Sequence, residues 1–400
     1  MTGIVLSASV RQNLLSLQST AELLSTTQNR LATGNKVNSA LDNPTNFFTA
    51  QGLNNRSNDI NNLLDSIGNG VQVLQAANTG LTSLQKLVDT AKSIANQVLQ
   101  TTVGYSTKAS ATTTVGVVGT ASDLTTGGTT TLQGKTVIFT PAVGSAVTLT
   151  FSNVAGAGNV NSLDALNAAI SGAGIGVTAS ISSTGFLTFT SSNDNASQAI
   201  TVAGGAAANT VQLTGTTVAA APVSAVADAA SQAIRANLVN QYNGILSQIT
   251  NTAQDASFNG INLLNGDTLK LTFNETGKST LSITGVTYGA TGLGLTALVS
   301  GTDFLDSSSA NKALTALSSA STALRTEASA LGSNLSIVQI RQDFSKNLIN
   351  VLQTGASNLT LADTNEEAAN SQALSTRQSI AVSALALANQ SQQSVLQLLR

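Results

Sequence analysis

The sequence predicts an α+β protein in which long helices from both ends of the chain form a coiled coil or bundle, with a β-hairpin and an inserted central β-rich domain. Three observations predict this class. Apolar residues near both ends recur at alternating spacings of three and four, as in a helical seam. The middle of the chain is rich in Thr, Gly, Ala and Val and has short alternating runs typical of strands. The 400 residues suffice for two or three domains.

The composition excludes several classes of function. The chain has no Cys, His or Trp, which removes disulfides, zinc–thiolate sites and histidine general bases. A net charge of −2 does not attract nucleic acid, and no apolar run reaches the ~20 residues of a membrane span. Carboxylate-only enzymes remain possible on composition. Our prediction is nevertheless no catalytic, metal or cofactor-binding site, no enzymatic activity, no nucleic-acid partner and no membrane insertion. Since no cleaved leader is visible, we expect either a cytoplasmic protein or one exported without such a leader.

Segment 1–40 predicts an inner-core helix. Its heptad seam is apolar except at Gln28, and Gly34 and Asn35 in "TGNK" are suitable residues to end the helix. The last segment, 366–400, predicts a matching helix. A two-helix hairpin is too small to be stable alone, so we expect both seams to serve assembly between copies of the chain. The predicted assembly residues are Val10, Leu14, Leu17, Ala21, Leu24 and Leu31 in the first helix, and Leu374, Ala381, Leu385, Ala388, Val395, Leu398 and Leu399 in the last.

Segment 41–55 is predicted to be a linker, because Pro44 prevents a continuous helix. Asp42, Asn43 and Pro44 are most simply a turn. Phe47 and Phe48 are unusual in a linker, which seldom carries adjacent aromatic residues. They either pack on the bundle or anchor a neighbouring copy of the chain.

Segment 56–100 predicts a bundle helix with an unbroken apolar stripe. Gly68, Gly70 and Gly80 lie inside it and weaken it by roughly 1 kcal/mol each relative to Ala, so they are candidate points of close backbone approach. The stripe consists of Ile60, Ile67, Leu74, Leu81, Val88 and Ala95, with Leu63, Gly70, Ala77, Leu84, Ala91 and Val98 three residues on.

Segment 101–225 predicts the inserted β-rich outer domain. Its strand-like runs are "KTVIFTP", "AVTLTFS", "GVTASIS" and "GFLTFTS", and one short helix, "SLDALNAAI", interrupts them. Asn161 or Ser162 caps this helix, and Asp164 suits its first turn. The expected core aromatics are Phe139, Phe151, Phe186 and Phe189.

Segment 226–308 predicts a bundle helix followed by a β-hairpin, with turns at Asn259-Gly260 and Thr276-Gly277. One face of the helix carries Ile234, Leu238, Ile245 and Ile249.

Segment 309–354 predicts the C-terminal bundle helix, which Gly355 ends, and 355–365 predicts a linker. Glu366 and Glu367 then lie in the first turn of the last helix, where negative charge suits the helix dipole. Neither these carboxylates nor Asp42, Asp59 and Asp65 have a spacing that indicates acid–base catalysis.

Three motifs together resemble bacterial flagellins. They are "RLATGNKVNSALDNP" at 30–44, "AQDASFNGINLLNG" at 253–266 and "ALANQSQQSVLQLLR" at 386–400, and they fall in the family's order. The resemblance covers about 1–100 and 226–400. It implies paired terminal helices in the inner tube of a filament, a helical bundle with a β-hairpin around it, and variable domains outside.

The resemblance also implies partners and a location. On this resemblance we expect the subunit to polymerise with identical or related flagellin subunits into an extracellular flagellar filament, a passive helical propeller for motility. We also expect it to be secreted by the flagellar type III export apparatus with an export chaperone, to fold under a filament cap and to join hook-associated junction proteins. Two alternatives stay open: a hook–filament junction protein, and a carboxylate-dependent enzyme or carbohydrate-binding adhesin carried on the β-rich insert.

Overall fold

The computed structural model describes residues 8–113, 116, 120–126, 132–140, 146–196, 210–214 and 220–398. The chain divides into two compact units. The terminal unit comprises Met1–Val71, Lys270–Ser282 and Ser336–Arg400, and the central unit comprises Gln72–Leu269 and Ile283–Leu335.

The described residues contain six α-helices and twelve β-strands. The helices are α1 Ala8–Thr33, α2 Pro44–Gln100, α3 Leu163–Gly172, α4 Ala229–Asp255, α5 Ser307–Thr360 and α6 Thr364–Leu398. The strands are β1 Tyr105–Thr107, β2 Ser110–Thr113, β3 Thr136–Thr140, β4 Val147–Phe151, β5 Asn159–Val160, β6 Val177–Ile181, β7 Leu187–Ser191, β8 Thr210–Thr214, β9 Ala220–Val223, β10 Val226–Ala227, β11 Thr268–Thr272 and β12 Thr280–Thr284. Long helices toward both ends and small central sheets confirm the predicted α+β class. Among the described helices, none has an apolar stretch that could cross a bilayer.

Helix α1 ends where the sequence predicts, because Gly34 follows it with φ +70°. That left-handed conformation is the one that glycine adopts most readily after a helix.

Helix α2 begins at Pro44, well before the predicted start at 56, so most of the predicted linker 41–55 is helical. The physical reason is that proline suits the first position of a helix, where its missing N–H is not needed. Asn43 caps the helix, since its Oδ1 accepts a hydrogen bond of 3.0 Å from the backbone N–H of Asn46.

The apolar stripe of α2 is buried as predicted. Its fully buried members include Ile60, Ile67, Leu74, Ala77, Leu81, Leu84, Val88, Ala91, Ala95 and Val98. Of the three glycines of α2 between 56 and 100, two lie at points of close approach. A Cβ on Gly70 would collide with Leu271 Cδ2, and a Cβ on Gly80 would lie 2.7 Å from Ala256 Cβ. Gly68 is different, because its nearest neighbour would be 3.9 Å away.

The β-rich insert forms its core between two four-stranded sheets and α3. The strand orders are β6-β7-β2-β9 and β5-β4-β3-β8, and the pairs are antiparallel except β4 with β5. Phe139 and Phe189 meet edge to face at 5.5 Å between ring centroids, and Phe151 is buried beside them. Ser162 caps α3 by accepting from the backbone N–H of Ala165. These features confirm the predicted insert core and short helix.

Phe186 was wrongly placed in that core. It is only half-buried, and Leu187 takes the core position instead. Side chains alternate between the two faces of a strand, so Phe186 is out of phase with the buried residues Leu187 and Phe189.

The predicted apolar face of α4 is also corrected. Ile234 is exposed and Ile245 is half-buried, whereas Arg235 and Tyr242 are buried together with Leu238, Leu246 and Ile249. The buried face of α4 is therefore rotated from the predicted one and includes Arg235, which a search for apolar residues does not identify.

Arg235 is fully buried in the central unit and donates hydrogen bonds to four backbone carbonyls. Its Nε donates to the carbonyl of Thr102 at 2.8 Å, and its Nη1 donates to that of Phe304 at 2.5 Å. Its Nη2 donates to the carbonyls of Val98 and Thr101, at 3.1 and 3.0 Å. Positive charge at the C-terminal end of α2 also suits the helix dipole. Arg235 therefore fixes the point where the chain leaves α2 for the insert.

Helix α5 continues through Gly355 and ends at Thr360, so the prediction that Gly355 ends it was wrong. A single glycine costs a helix only about 1 kcal/mol, and long helices tolerate it. The second predicted linker therefore shrinks to the residues between Thr360 and Thr364. Asp363 caps α6 by accepting from the backbone N–H groups of Asn365 and Glu366.

The hairpin after α4 agrees with the sequence prediction. Strands β11 and β12 pair, and Gly277 in the connecting turn has φ +70°. Asn259 and Gly260 both have positive φ, at 50° and 80°, in the turn closed by Phe258 and Ile261. Two consecutive positive φ values are the geometry for which Asn-Gly is favoured.

Candidate assembly interface

Helices α1 and α6 pack against each other within the terminal unit. They run antiparallel, because Arg30 in the last turn of α1 contacts Glu367 in the first turn of α6. The two ends of the chain therefore form a helical pair, whose facing residues we compare with the predicted seam.

Four of the six predicted seam residues of α1 are buried or half-buried. Val10 is buried, and Leu17 and Leu24 are half-buried. Thr20 and Thr27 are buried at the intervening positions, where the sequence pattern had indicated Ala21 and Gln28. Ala21 is half-buried, whereas Leu14, Gln28 and Leu31 are exposed.

The facing residues of α6 include the predicted ones that the structure describes. Leu374, Ala381, Leu385 and Ala388 are half-buried, and Ser371 and Gln378 lie between them at helical spacing. The side chains of Val395 and Leu398, and the whole of Leu399, lie outside the described residues.

The connectors beside the helical pair are joined by backbone hydrogen bonds. The N–H of Lys36 donates to the carbonyl of Thr360 at 2.7 Å, and the N–H of Ala362 donates to the carbonyl of Gly34 at 3.0 Å. Asn35 and Leu361 form an antiparallel bridge between them. This backbone pairing fixes the end of α1 relative to the start of α6.

One ion pair reinforces that register, and sequence reasoning missed it. Arg30 Nη1 lies 3.3 Å from Glu367 Oε1, with side-chain exposures of 36% and 11%. The sequence located Glu367 correctly in the first turn of α6 but gave it no partner. The only available signal was a basic residue near the end of one terminal helix and an acidic residue near the start of the other.

The outer faces of the pair carry large apolar side chains in water. Leu15 and Leu23 are exposed on α1, and Ile380, Val382 and Leu387 are exposed on α6. Leu387 is 70% exposed, and nothing charged flanks it from Ser379 to Ser394 in the sequence. Exposed apolar residues in such density are typical of surfaces that bind another protein.

The turn before α2 presents further apolar side chains. Leu41 is 97% exposed, and the turn that holds it is fixed by Asp42, whose Oδ2 accepts from the backbone N–H groups of Ser39 and Asn38. These two hydrogen bonds lower the pKa of Asp42, and the bond from the backbone N–H of Ser39 has the larger effect. Phe47 is half-buried, whereas Phe48 is exposed and meets it edge to face at 5.5 Å.

Two family models match the chain. The bacterial flagellin N-terminal helical region matches residues 6–134, and the bacterial flagellin C-terminal helical region matches residues 314–399. Together the two matches take in more than half of the chain and include both α1 and α6. The chain belongs to the bacterial flagellin family. This confirms the family expected from the three sequence motifs.

Curated flagellins are similar over part of their length. Flagellin FljM of Caulobacter vibrioides is 36% identical over 168 residues, which is 41% of this chain and 59% of the relative. The flagellin of Brucella melitensis biotype 1 is 30% identical over 182 residues, 43% of this chain and 64% of the relative. Flagellin A of Rhizobium meliloti is 36% identical over 124 residues, 31% of this chain and 27% of the relative. The flagellin chain thus spans less than two thirds of each of these relatives, and nothing among them favours a hook-associated protein.

The described residues of the site are suited to helix packing. Within the described ranges, no three Asp or Glu residues are grouped as metal ligands would be. The polar side chains of the flagellin helical pair are mostly hydroxyls and amides, with few charged residues and the Arg30–Glu367 ion pair among them. The interface is therefore suited to association.

Proposed function

We propose that this flagellin is the structural subunit of a bacterial flagellar filament, and that α1 and α6 form its assembly interface. The observation that carries the proposal is the pair of terminal helices with apolar side chains on both outer faces. An antiparallel two-helix pair covers only one face of each helix, and such a small element needs further packing to be stable. Neighbouring copies supply that packing in a filament.

The hydroxyl groups on these helices support burial between copies. Thr26 donates to the carbonyl of Glu22 at 3.0 Å, and in α6 Thr376 and Ser383 donate to the carbonyls one turn earlier. A hydroxyl that is already bonded to its own backbone loses little when water is removed. Such surfaces can therefore pack against identical surfaces without the repulsion that repeated charges would cause.

The proposed assembly contacts are those of the predicted seams, together with Phe47 and Phe48 as linker anchors. Phe48 is the better anchor, because it is exposed at the start of α2. The proposed seam residues are Val10, Leu14, Leu17, Ala21, Leu24 and Leu31 in α1, with Leu374, Ala381, Leu385, Ala388, Val395, Leu398 and Leu399 at the other end of the chain.

The remaining parts of the proposal follow from family membership. The subunit is exported through the flagellar export apparatus with an export chaperone, is assembled under a filament cap, and is joined to the hook by junction proteins. The β-rich insert faces outward from the extracellular filament. The filament is a passive propeller, so the protein has a mechanical role and not an enzymatic one.

The test is seeded elongation followed by electron microscopy. Concentrated monomer is mixed with short filament seeds, and filament lengths are compared for the wild type, Leu17→Asp and Thr184→Asp. Leu17 is half-buried in the helical pair, whereas Thr184 is exposed on a turn of the insert, so only the first variant buries an unpaired charge. We expect long filaments from the wild type and from Thr184→Asp, and none from Leu17→Asp. A wild type that never elongates seeds, or a Leu17→Asp variant with filaments of normal length, contradicts the proposal.

A further inference from the structure

Four Asn-Gly pairs occur in the chain, and each is a place where the main chain can react with a side chain. The glycine nitrogen attacks the side-chain carbonyl carbon of the asparagine before it, and glycine has no Cβ to hinder this approach. The reaction needs an amide side chain and a main chain that are free to rotate toward each other. The pairs are Asn69-Gly70, Asn243-Gly244, Asn259-Gly260 and Asn265-Gly266. The fold therefore decides which of them reacts.

Two of the pairs lie inside helices, where the reaction is hindered. Asn69 is in α2 and Asn243 is in α4, so the N–H of the following glycine points along the helix toward the carbonyl one turn earlier. The side chain of Asn243 is also held, because its Nδ2 donates to the carbonyl of Leu298 at 2.8 Å and its Oδ1 accepts from the N–H of Leu298 at 2.9 Å. Both pairs are therefore kept out of the geometry that attack requires.

The third pair, Asn265-Gly266, is restrained by backbone pairing. Asn265 forms an antiparallel bridge with Thr287. Beside this bridge, the N–H of Tyr288 donates to the carbonyl of Leu264 at 2.9 Å. The main chain at Gly266 can therefore rotate toward the side chain of Asn265 only if this pairing breaks.

Asn259 and Gly260 are free of such restraints. They are the central residues of a turn that Phe258 and Ile261 close through two backbone hydrogen bonds, each 3.0 Å long. Both central residues are exposed, and within the described part of the chain neither the amide of Asn259 nor the N–H of Gly260 forms a hydrogen bond. Asn259 has a φ of 50°, and the two hairpin turns that share a positive φ at this position differ mainly by a flip of the central peptide. Such a flip rotates the Gly260 nitrogen while both closing bonds remain.

From these contrasts we infer that Asn259 is a site of spontaneous deamidation. The nitrogen of Gly260 bonds to the side-chain carbonyl carbon of Asn259, and its proton passes to the solvent. The C–N bond of the side-chain amide breaks, and the leaving group takes up a proton and departs as ammonia. Water then opens the cyclic imide at either carbonyl and leaves aspartate or isoaspartate. The inference goes beyond the proposed function and does not depend on assembly of the chain.

The product changes the turn in two ways. It adds a negative charge just after Asp255, the last residue of α4, where the helix dipole disfavours negative charge. Isoaspartate also directs the main chain through the side chain and lengthens it by a methylene group. This longer chain does not fit between Phe258 and Ile261 while both closing bonds are kept. Deamidation should therefore loosen the turn as the protein ages.

The test follows all four pairs in the full-length protein by peptide mass spectrometry. Purified protein is incubated in mildly alkaline buffer, once folded and once in urea, and samples are digested at intervals. In the folded protein we expect Asn259 to be converted at least tenfold faster than each of the other three asparagines, with both aspartate and isoaspartate as products. In urea the rates of the four pairs should become similar, because only the fold distinguishes them.

Three outcomes would overturn the inference. If Asn259 stays intact in the folded protein, whether or not it reacts in urea, the turn does not permit the attack. Equal or faster conversion at another pair in the folded protein would mean that the free turn is not what selects the site. Aspartate without isoaspartate would indicate direct hydrolysis of the side chain, since a cyclic imide opens to both products.

Discussion

Arg30 Nη1 lies 3.3 Å from Glu367 Oε1, although 337 positions separate the two residues in the chain. The carboxylate is nearly buried, and the guanidinium is about one-third exposed. The pair stands beside the backbone bonds that join Gly34 to Ala362 and Lys36 to Thr360. The ion pair therefore links the end of α1 to the start of α6 at one end of the helical pair that we propose as the assembly interface.

We predict that Glu367→Gln weakens the pairing of α1 with α6 by roughly 1 kcal/mol, the size of a partly exposed, charge-assisted hydrogen bond. Hydrogen exchange of the α1 and α6 amides should become faster in the monomer. Glu366→Gln is the matched control, because it removes the same charge from the same first turn at an exposed position. Equal acceleration in both variants would mean that the helix dipole matters and the ion pair does not.

Arg235 offers a sharper test of the central unit. Arg235→Met removes the donors that four carbonyls share, and such losses at buried sites cost on the order of 3–5 kcal/mol. We expect a strongly lowered thermal midpoint, with Arg325→Met on the exposed face of α5 as the control. A midpoint equal to that of the control would show that water replaces the guanidinium at little cost.

Two glycines of α2 should respond to alanine in opposite directions. A Cβ at Gly80 would lie 2.7 Å from both Ala256 Cβ and Leu264 Cδ1, so Gly80→Ala overpacks the helix and costs roughly 1–3 kcal/mol. Gly68→Ala meets nothing closer than 3.9 Å and should gain about 0.5–1 kcal/mol from helix propensity. The urea unfolding midpoints of the two variants measure both stability changes. A higher midpoint for Gly80→Ala would show that the backbone at Gly80 is not in close contact with Ala256 and Leu264.

Long periodic segments were predictable from sequence because their local signals agree with the packing. The stripe of α2, the end of α1 at Gly34 and the Asn259-Gly260 turn all follow from spacing or backbone conformation. The wrong helix boundaries were predicted at residues that can either end a helix or lie within one. Pro44 stops a helix from the preceding side but starts one from its own position, and Gly355 weakens a helix without ending it.

Tertiary contacts explain the remaining differences. The buried face of α4 is turned by Arg235, whose partners are carbonyls that no sequence pattern reveals. In α1, Thr20 and Thr27 are buried in place of Ala21 and Gln28, because the register against α6 is fixed by the backbone bonds around Asn35 and Leu361. Sequence periodicity shows that a helix has a buried seam. Which of two adjacent residues is buried there depends on how the partner helix packs against it.

The insert should show a pH dependence centred on Asp123. Hydrogen bonds from the hydroxyls of Thr125 and then Thr126, with their backbone N–H groups, hold the pKa of Asp123 well below its ordinary value of 3.8. Because the folded pKa is the lower one, this stabilisation is present above pH 3.8 and is lost as the pH falls through the folded pKa.

We therefore predict that Asp123→Asn is less stable than the wild type at pH 7 and that the difference narrows as the pH drops below 3.8. Hydrogen exchange rates of the β3 and β4 amides in the insert measure this difference in stability between the variant and the wild type. A difference that stays constant down to the acid limit would contradict the assignment, since it would not depend on the charge of Asp123.

The central claim is that the outer faces of the α1–α6 pair are buried between copies, and the absence of cysteine makes this directly measurable. Leu387→Cys puts one thiol on the exposed face of α6, and Thr184→Cys puts one on an exposed turn of the insert. Labelling rates with a maleimide are compared for monomers and for seeded filaments. The account predicts that position 387 reacts quickly in the monomer and is protected in the filament, while position 184 reacts in both. Equal labelling of position 387 in monomer and filament would contradict it.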